Sequence, residues 1–421
     1  MADSCYVVHY SEVALKGKNR PEFVKILRHN LSRSLYPFHN KIESRDGRLI
    51  VRVEGDPASV GPRISNVFGV AWFARADIVD PDYSAIEDKT LRAARESEAP
   101  TFMIDARRAD KTFPLGSMEI ARRLGSAVVV STGKRVDLSR PGLKIHVDII
   151  RKHALVYGVR NLGPGGLPVG TSGRSMHLFS AGIDSPVAAW LLMKRGVRPV
   201  FLHFYLAPTP AAVMKSKVIH LVRILSAWGG KSTLVLVPFA EYQLATVDVP
   251  EALEPSLFRR FMRMVAERLA AGFNAYAVST GDSLSQAASQ TMWNIAAIDS
   301  GSSVPILRPL LTYDKEEIVN LAKKIGTYEI SLQEYKDCCA VVTRHPKTRA
   351  RASEISEYVE RRDFAGLAIK SLKSASLVTY NPIHDQLKAI QLTGAIALFN
   401  QIESVRVRME GLLSHPENGQ T

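Results

Sequence analysis

Cysteine is scarce in this chain, with three residues in 421, at positions 5, 338 and 339. Three thiols, two of them adjacent, cannot make a disulfide framework, which excludes the small secreted scaffolds and fits a reducing cytoplasm. No C-x-x-C pair and no Cys/His spacing of the zinc type occurs, so neither a structural zinc nor an iron–sulfur cluster is expected and no side chain is assigned to a resident metal. A stretch of 18 apolar residues is also missing, and the first twenty residues lack the apolar core of a secretory signal, so no membrane association is expected. Solenoid repeats are absent. So is a Walker A loop: the nearest approach, Gly229-Gly230-Lys231-Ser232, has Leu225 where the first glycine belongs and leads into a strand. No GxGxxG follows a strand either, which excludes the usual dinucleotide fold.

What is present is length and positive charge. A chain of 421 residues, 46% hydrophobic and 23% charged, can build real cores, and the size prior of about 100 to 200 residues per domain calls for several of them. Lys and Arg number 55 against 41 Asp and Glu, a formal charge of +14. Such a field draws polyanions, nucleic acid first.

Hydrophobic periodicity divides the chain. Residues 1–59 read as a small α+β unit, with strands at 6–10 and 48–53 around an amphipathic helix at 21–35. Residues 60–162 read as a second α+β unit, with strands near 72–78, 101–105, 143–149 and 154–159 and helices near 83–96 and 117–130. The segment NLGPGGLPVGTSGR, 161–174, is too rich in Gly and Pro for an element interior and marks a boundary. Beyond it, residues 163–374 alternate buried apolar strands with helices, including one expected helix over 211–228, which argues a doubly wound parallel sheet. Residues 375–421 read as a helical tail.

The chemistry starts at Ser180-Ala181-Gly182-Ile183-Asp184-Ser185-Pro186, which follows the strand SMHLF and opens a helix at once. Small residues let the backbone approach an anion, and the helix start offers unpaired N–H groups and the positive end of its dipole. Pro186 suits a first helical turn. An ordinary βα turn has the same composition, and Asp184 or Ser185 would then simply cap the helix.

The pattern Ser-x-Gly-x-Asp-Ser resembles the PP-loop of ATP pyrophosphatases, with Ala181 in place of a glycine. An alanine there is strained if the position needs a positive φ. Together with SEVALKGKNR (11–20), GGLPVGTSG (165–173), Arg259-Arg260-Phe261-Met262, GDSLSQAASQT (281–291), LRPL (307–310), DKEEI (314–318), Ile325-Gly326-Thr327 and Asp337-Cys338-Cys339, the loop is similar to the tRNA 4-thiouridine synthase (tRNA sulfurtransferase) family, in its THUMP plus PP-loop form without a rhodanese domain. These motifs stand in family order over about 330 residues. The resemblance implies an α/β protein with ferredoxin-like and THUMP RNA-binding domains before a PP-loop domain. It implies ATP and Mg²⁺ as cofactors, and as activity the adenylation of the C4 oxygen of tRNA uridine 8 followed by its replacement with sulfur.

By motif position, Leu178, Phe179, Ser180, Gly182, Ser185, His203, Phe204, Arg259, Gly281 and Gln290 would bind ATP, and Asp184 would hold Mg²⁺ or order pyrophosphate. The residue readings beside this are a solvated helix position for Arg259 and a satisfied core histidine for His203. The family's sulfur-carrying cysteine stands seven residues before a proline, which makes Cys339, before Pro346, the persulfide residue here. Cys338 is a helper or an inert neighbour, and Cys5, in the first strand, is structural. The basic residues around the pair, among them Lys336 and Lys347, favour thiolate chemistry if they lie close. Sulfur would come from a cysteine desulfurase or free sulfide, with a thiamine sulfur-carrier protein as a further partner in thiamine thiazole synthesis. Lys16, Lys18, Arg20, Arg107, Arg108, Lys111, Arg122 and Arg123 are expected to contact RNA phosphates. A homodimer is left open, as are two competing classes: a PP-loop adenylating ligase, and an RNA-binding protein with a weakened nucleotide site.

Overall fold

The structure, a computed structural model, describes residues 3–10, 12–336, 338 and 346–392, and the chain divides into two units, Met1–Pro168 and Val169–Thr421. Among the described residues no helix is long and apolar enough to cross a membrane.

The first unit is built on one sheet of β1 (Asp3–His9), β2 (Asn40–Arg45), β3 (Arg48–Glu54), β4 (Trp72–Val79), β5 (Thr101–Arg108), β6 (Arg135–Val136), β7 (Leu143–Ile150), β8 (His153–Tyr157) and β9 (Asn161–Leu162). The order is β2-β3-β1-β4-β8-β7-β5-β6, with β9 beside β4. Among the described residues three hydrophobic clusters lie on it, two of them under helices and the third around Val7, Ile50, Ala74 and Leu155. Helices Arg20–Ser34 and Pro57–Ser65 bury Leu27, Leu31 and Ile64 against Val8, Leu49 and Val51, all without solvent exposure. Helices Tyr83–Glu96 and Ser117–Thr132 bury Ile86, Ile120 and Leu124 against Phe102, Ile145 and Val147. Strand β4 joins the halves, pairing β1 through Tyr6 and Arg75 and β8 through Ala76 and Tyr157. Helix Pro57–Ser65 spans the boundary expected at 59/60. Asp56 caps it by accepting from Ala58 N at 3.2 Å, Pro57 sits at its start, and Val60 and Ile64 face the first core, which extends to Phe73.

The second unit has β10 (Arg174–Leu178), β11 (Arg198–Tyr205), β12 (Ser232–Pro238), β13 (Ala275–Ser279), β14 (Ile306–Leu307), β15 (Ser376–Asn381) and β16 (Gln386–Gln391), in the order β14-β13-β10-β11-β12-β15-β16. The first five are parallel. The chain leaves β10 toward β12 on one side and returns to β13 on the other. The carboxyl ends of β10 and β13 therefore flank the switch point at which doubly wound sheets bind ligands. The buried runs VFLHFY and STLVLVP are continuous because helices cover both faces of such strands.

Two expectations are corrected. The segment expected as a helical tail from 375 begins as the antiparallel hairpin β15–β16, with β15 paired to β12. The β-rich run SLVTYN buries Leu377 and Val378 against the sheet and decides the matter. The helix expected over 211–228 is two, Pro210–Met214 and Lys217–Gly229. Ser216 breaks it by donating to Val213 O at 2.7 Å and capping the next helix at Val218 N.

Candidate active site

The turn after β10 is closed by two serines. Ser185 Oγ accepts from Ser180 N at 3.0 Å and donates to Ser180 O at 2.8 Å, so the loop is folded back on the first turn of helix Asp184–Lys194 before any ligand arrives. Gly182 N donates to Ser180 Oγ at 3.4 Å. Ala181 is 2% exposed and takes no positive φ, so the loop accommodates alanine without backbone strain.

Facing this turn is the segment after β13. A Cβ on Gly281 would lie 2.8 Å from Ser185 N and 2.9 Å from Ser185 Cα, so only glycine lets the two backbones meet there. Next to it Asp282, 5% exposed, accepts from Arg259 and, at 3.1 Å, from Arg308 Nε. Arg308 also forks onto Asp299 with two bonds of 2.7 Å. Burial pushes the Asp282 carboxyl up, but the two guanidinium groups outweigh it and hold the pKa below the ordinary carboxylate value. The Gln290 amide, oriented to satisfy both ends, donates to Ser283 O at 2.7 Å and accepts from Arg259 at 3.1 Å. Arg259 is thus a braced guanidinium with its fork fixed.

These groups line one cavity. Leu178, Phe179, Ser180, Asp184, Ser185, His203, Phe204, Arg259, Gly281 and Gln290 border it together with Asp282, Asp299 and Arg308. It opens to solvent, with about 850 Å³ of space between its walls and across its mouth. Of the residues expected at the nucleotide, Gly182 alone lies outside the lining, in the turn itself. His203 has both ring nitrogens engaged, Nδ1 with Phe179 O at 2.8 Å and Nε2 with the Tyr335 hydroxyl at 2.9 Å. It is a satisfied, buried histidine that borders the cavity. Phe204 is fixed edge-on to Phe258 and Phe261. Asp184 does not cap its helix; its carboxylate meets Lys315 Nζ at 2.8 Å and Gln286 at 3.4 Å.

Sequence reasoning assigned no part to Asp282, Arg308, Lys315 or Tyr335. The first three lie inside quoted motifs, and a buried carboxylate between two arginines is visible only once β13 and β14 are paired.

Cys338 is 3% exposed and packs in the core with Leu253 and Ala350 among its cluster. Cys339 lies outside the described residues. Cys5 lies on β1, the strand in which it was expected.

The expected RNA contacts divide. Lys18, Arg107, Lys111, Arg122 and Arg123 are exposed, Arg123 pairing with Glu119 at 2.5 Å. Arg20 instead donates to the Tyr10 hydroxyl at 3.0 Å, Lys16 sits over the Phe23 ring, and Arg108 donates to Phe113 O at 3.0 Å. These three support local structure.

With this geometry in place, family profiles match three stretches: the ThiI ferredoxin-like domain over 5–74, the THUMP domain over 82–159, and the thiamine biosynthesis protein ThiI over 170–364. Among curated relatives, a protein of Caldanaerobacter subterraneus named a tRNA sulfurtransferase is 38% identical, covering 85% of this chain and 95% of its own length. One from Moorella thermoacetica with the same name is 37% identical over 90% and 98%. A solved structure described as a 4-thiouridine synthetase–RNA complex with bound ATP is 32% identical, with a TM-score of 0.82, covering 92% of this chain and all of that one.

Proposed function

The chain belongs to the ThiI family of tRNA sulfurtransferases, and from that premise we propose that it spends ATP, as AMP and pyrophosphate, to convert uridine 8 of tRNA to 4-thiouridine. Its domain organisation is a ferredoxin-like domain, a THUMP domain that grips RNA, and a PP-loop domain that carries the reaction. The observation that carries this reading is the meeting of Gly281 with the Ser180–Ser185 turn, because it creates an anion cradle at a helix start next to a braced arginine.

In this reading the first-turn N–H groups of helix Asp184–Lys194 and the Arg259 fork receive the triphosphate, and Leu178, Phe179 and Phe204 supply the apolar wall for the base. Asp184, the carboxylate at the mouth of the turn, offers the hard oxygen ligands that suit Mg²⁺, with Lys315 balancing its charge. The C4 oxygen of the uridine attacks the α-phosphorus and pyrophosphate leaves. The outer sulfur of the Cys339 persulfide then attacks C4 and the C–O bond breaks, releasing AMP; an added thiol cleaves the resulting C4–S–S–Cys339 link, leaving sulfur on C4 and a mixed disulfide between Cys339 and that thiol. Arg259 and the helix start stabilise the charge that develops on the phosphate oxygens. Cys339 carries the sulfur as a persulfide whose outer sulfur is handed over from the persulfide of a cysteine desulfurase; free sulfide, already fully reduced, would instead attack C4 directly, and buried Cys338 is poorly placed for thiolate chemistry. The family's name as a thiamine biosynthesis protein supports a second use of the same sulfur, its delivery to a thiamine sulfur-carrier protein for thiazole synthesis.

The competing view of a weakened nucleotide site rested on Ala181, and its unstrained backbone removes that support. The test is reconstitution of the full-length protein with unmodified tRNA, ATP, Mg²⁺ and sulfide or a desulfurase with cysteine, followed by mass spectrometry of the tRNA nucleosides. 4-Thiouridine formed only when ATP is present supports the proposal. RNA binding without AMP release leaves a binding module.

A further inference from the structure

Strand β10 is buried and central, between β11 and β13, yet it carries a histidine in the middle of its apolar run. His177 has no solvent exposure. A buried imidazole is costly unless both nitrogens are satisfied, and a valine or leucine would fill the place more cheaply. Both nitrogens are satisfied here, and by the two halves of the nucleotide cradle. Nε2 lies 2.9 Å from Ser185 O, in the first turn of helix Asp184–Lys194. Nδ1 lies 3.0 Å from Ser279 Oγ, at the register partner of His177 on β13 and two residues before Gly281. Ser175 Oγ, two residues back on β10, completes the chain at 3.1 Å from Ser279 Oγ.

The chemistry fixes the tautomer. A carbonyl can only accept, so Nε2 carries the proton and donates to Ser185 O, and Nδ1 faces the Ser279 hydroxyl as an acceptor, the single proton of that hydroxyl being shared between Nδ1 and Ser175 Oγ. Burial pulls the His177 pKa down to about 4, which keeps the ring neutral and the tautomer in place at physiological pH. Ser185 is thereby held from three directions: by Ser180 through its hydroxyl, by Gly281 against its N and Cα, and by His177 through its carbonyl.

We infer that His177 is a positioning residue for the ATP site, a buried crosslink that sets the direction of the helix start against the Gly281 wall. It touches no substrate and lies outside the cavity lining. Because the crosslink ties the turn after β10 to the segment after β13, it acts on ATP and leaves the RNA-binding unit untouched. The inference rests on the reading of this cavity as the ATP site.

The test compares full-length wild type with His177→Leu, His177→Gln and Ser279→Ala, measuring KM for ATP in tRNA-dependent AMP release and, separately, the Kd for tRNA. Leucine removes both bonds; a glutamine amide can still donate toward Ser185 O. The expected result is a KM for ATP raised about tenfold in H177L, the order of one lost buried hydrogen bond, with tRNA Kd unchanged. Glutamine should restore most of the loss, and S279A should show a smaller rise. An unchanged KM in H177L overturns the inference. So does a parallel loss of ATP and tRNA binding in H177L and H177Q alike, which would mark a merely structural histidine. Should H177L fold too poorly to assay, S279A decides, since it removes one hydroxyl: a raised KM supports the crosslink and an unchanged one contradicts it. Absence of AMP release in wild type would refute the function proposed above before any variant is compared.

Discussion

Gly281 and Ser185 lie in backbone contact across the switch point, with the space for a Cβ on Gly281 ending 2.8 Å from Ser185 N. A methyl group there must push apart the turn and the β13 segment, because backbone atoms on both sides have no rotamer to yield. Gly281→Ala should therefore keep the fold and raise the KM for ATP at least about tenfold, by the arithmetic of roughly 1.4 kcal/mol per decade. Isothermal titration with a non-hydrolysable ATP analogue checks it; wild-type affinity would contradict the cradle.

Asp282 is the buried hinge of a charge network: removing it takes a carboxylate from both Arg259 and Arg308, of which Arg308 keeps its fork to Asp299. Asp282→Ala should destabilise the second unit by about 3–5 kcal/mol, the usual cost of breaking a buried pair from one side. The sign with pH also follows. Since the native pKa lies below that of the unfolded chain, the stabilisation is complete above the ordinary carboxylate value and is lost as pH falls through the native one. Urea midpoints at neutral and acid pH should differ less for D282A than for wild type.

His146 titrates in the same sense, over a higher pH window. Burial, and then the Arg160 charge, lower its pKa from 6.5 to about 4. The unfolded chain takes up a proton that the native one refuses, so stability is intact above pH 6.5 and declines as pH falls toward 4. His146→Gln, which keeps polar capacity but cannot titrate, should flatten the decline of the first unit's melting midpoint over that window. An equal slope in both proteins would refute the assignment.

The basic residues of the first unit separate into two kinds. Lys111→Ala and Arg122→Ala should weaken tRNA binding at low salt and reduce the slope of log K against log salt by about one each, with stability unchanged. Arg108→Ala should instead lower stability by about 1 kcal/mol, because it gives up the bond to Phe113 O. Filter binding across a salt series and thermal melts distinguish the two.

Local pattern made much of this legible. The turn 180–186 and the strand–helix alternation around it carry their chemistry in a short window, whereas Arg259, Gly281 and Gln290 were reached only through the resemblance of their motifs to the family. His177 could not be placed, since a single polar residue in a buried strand has no sequence sign of its two partners, one of them 102 positions away. The β15–β16 hairpin was missed for another reason. Along β16 only Leu387 escapes full exposure, so the edge strand has no alternation to read. β2 has a similar deficit, with Ile42 its one buried residue. The division of the basic residues also needed coordinates, because Arg108 and Arg122 look alike until Phe113 is placed beside the first.

The most direct measurement is the ratio of AMP released to 4-thiouridine formed, in wild type and in Cys339→Ser, with tRNA, ATP, Mg²⁺ and a desulfurase supplying sulfur. The account predicts a ratio near one for wild type, and for the variant continued AMP release with no 4-thiouridine. Full thiolation by Cys339→Ser, or thiolation by wild type without AMP, would contradict it.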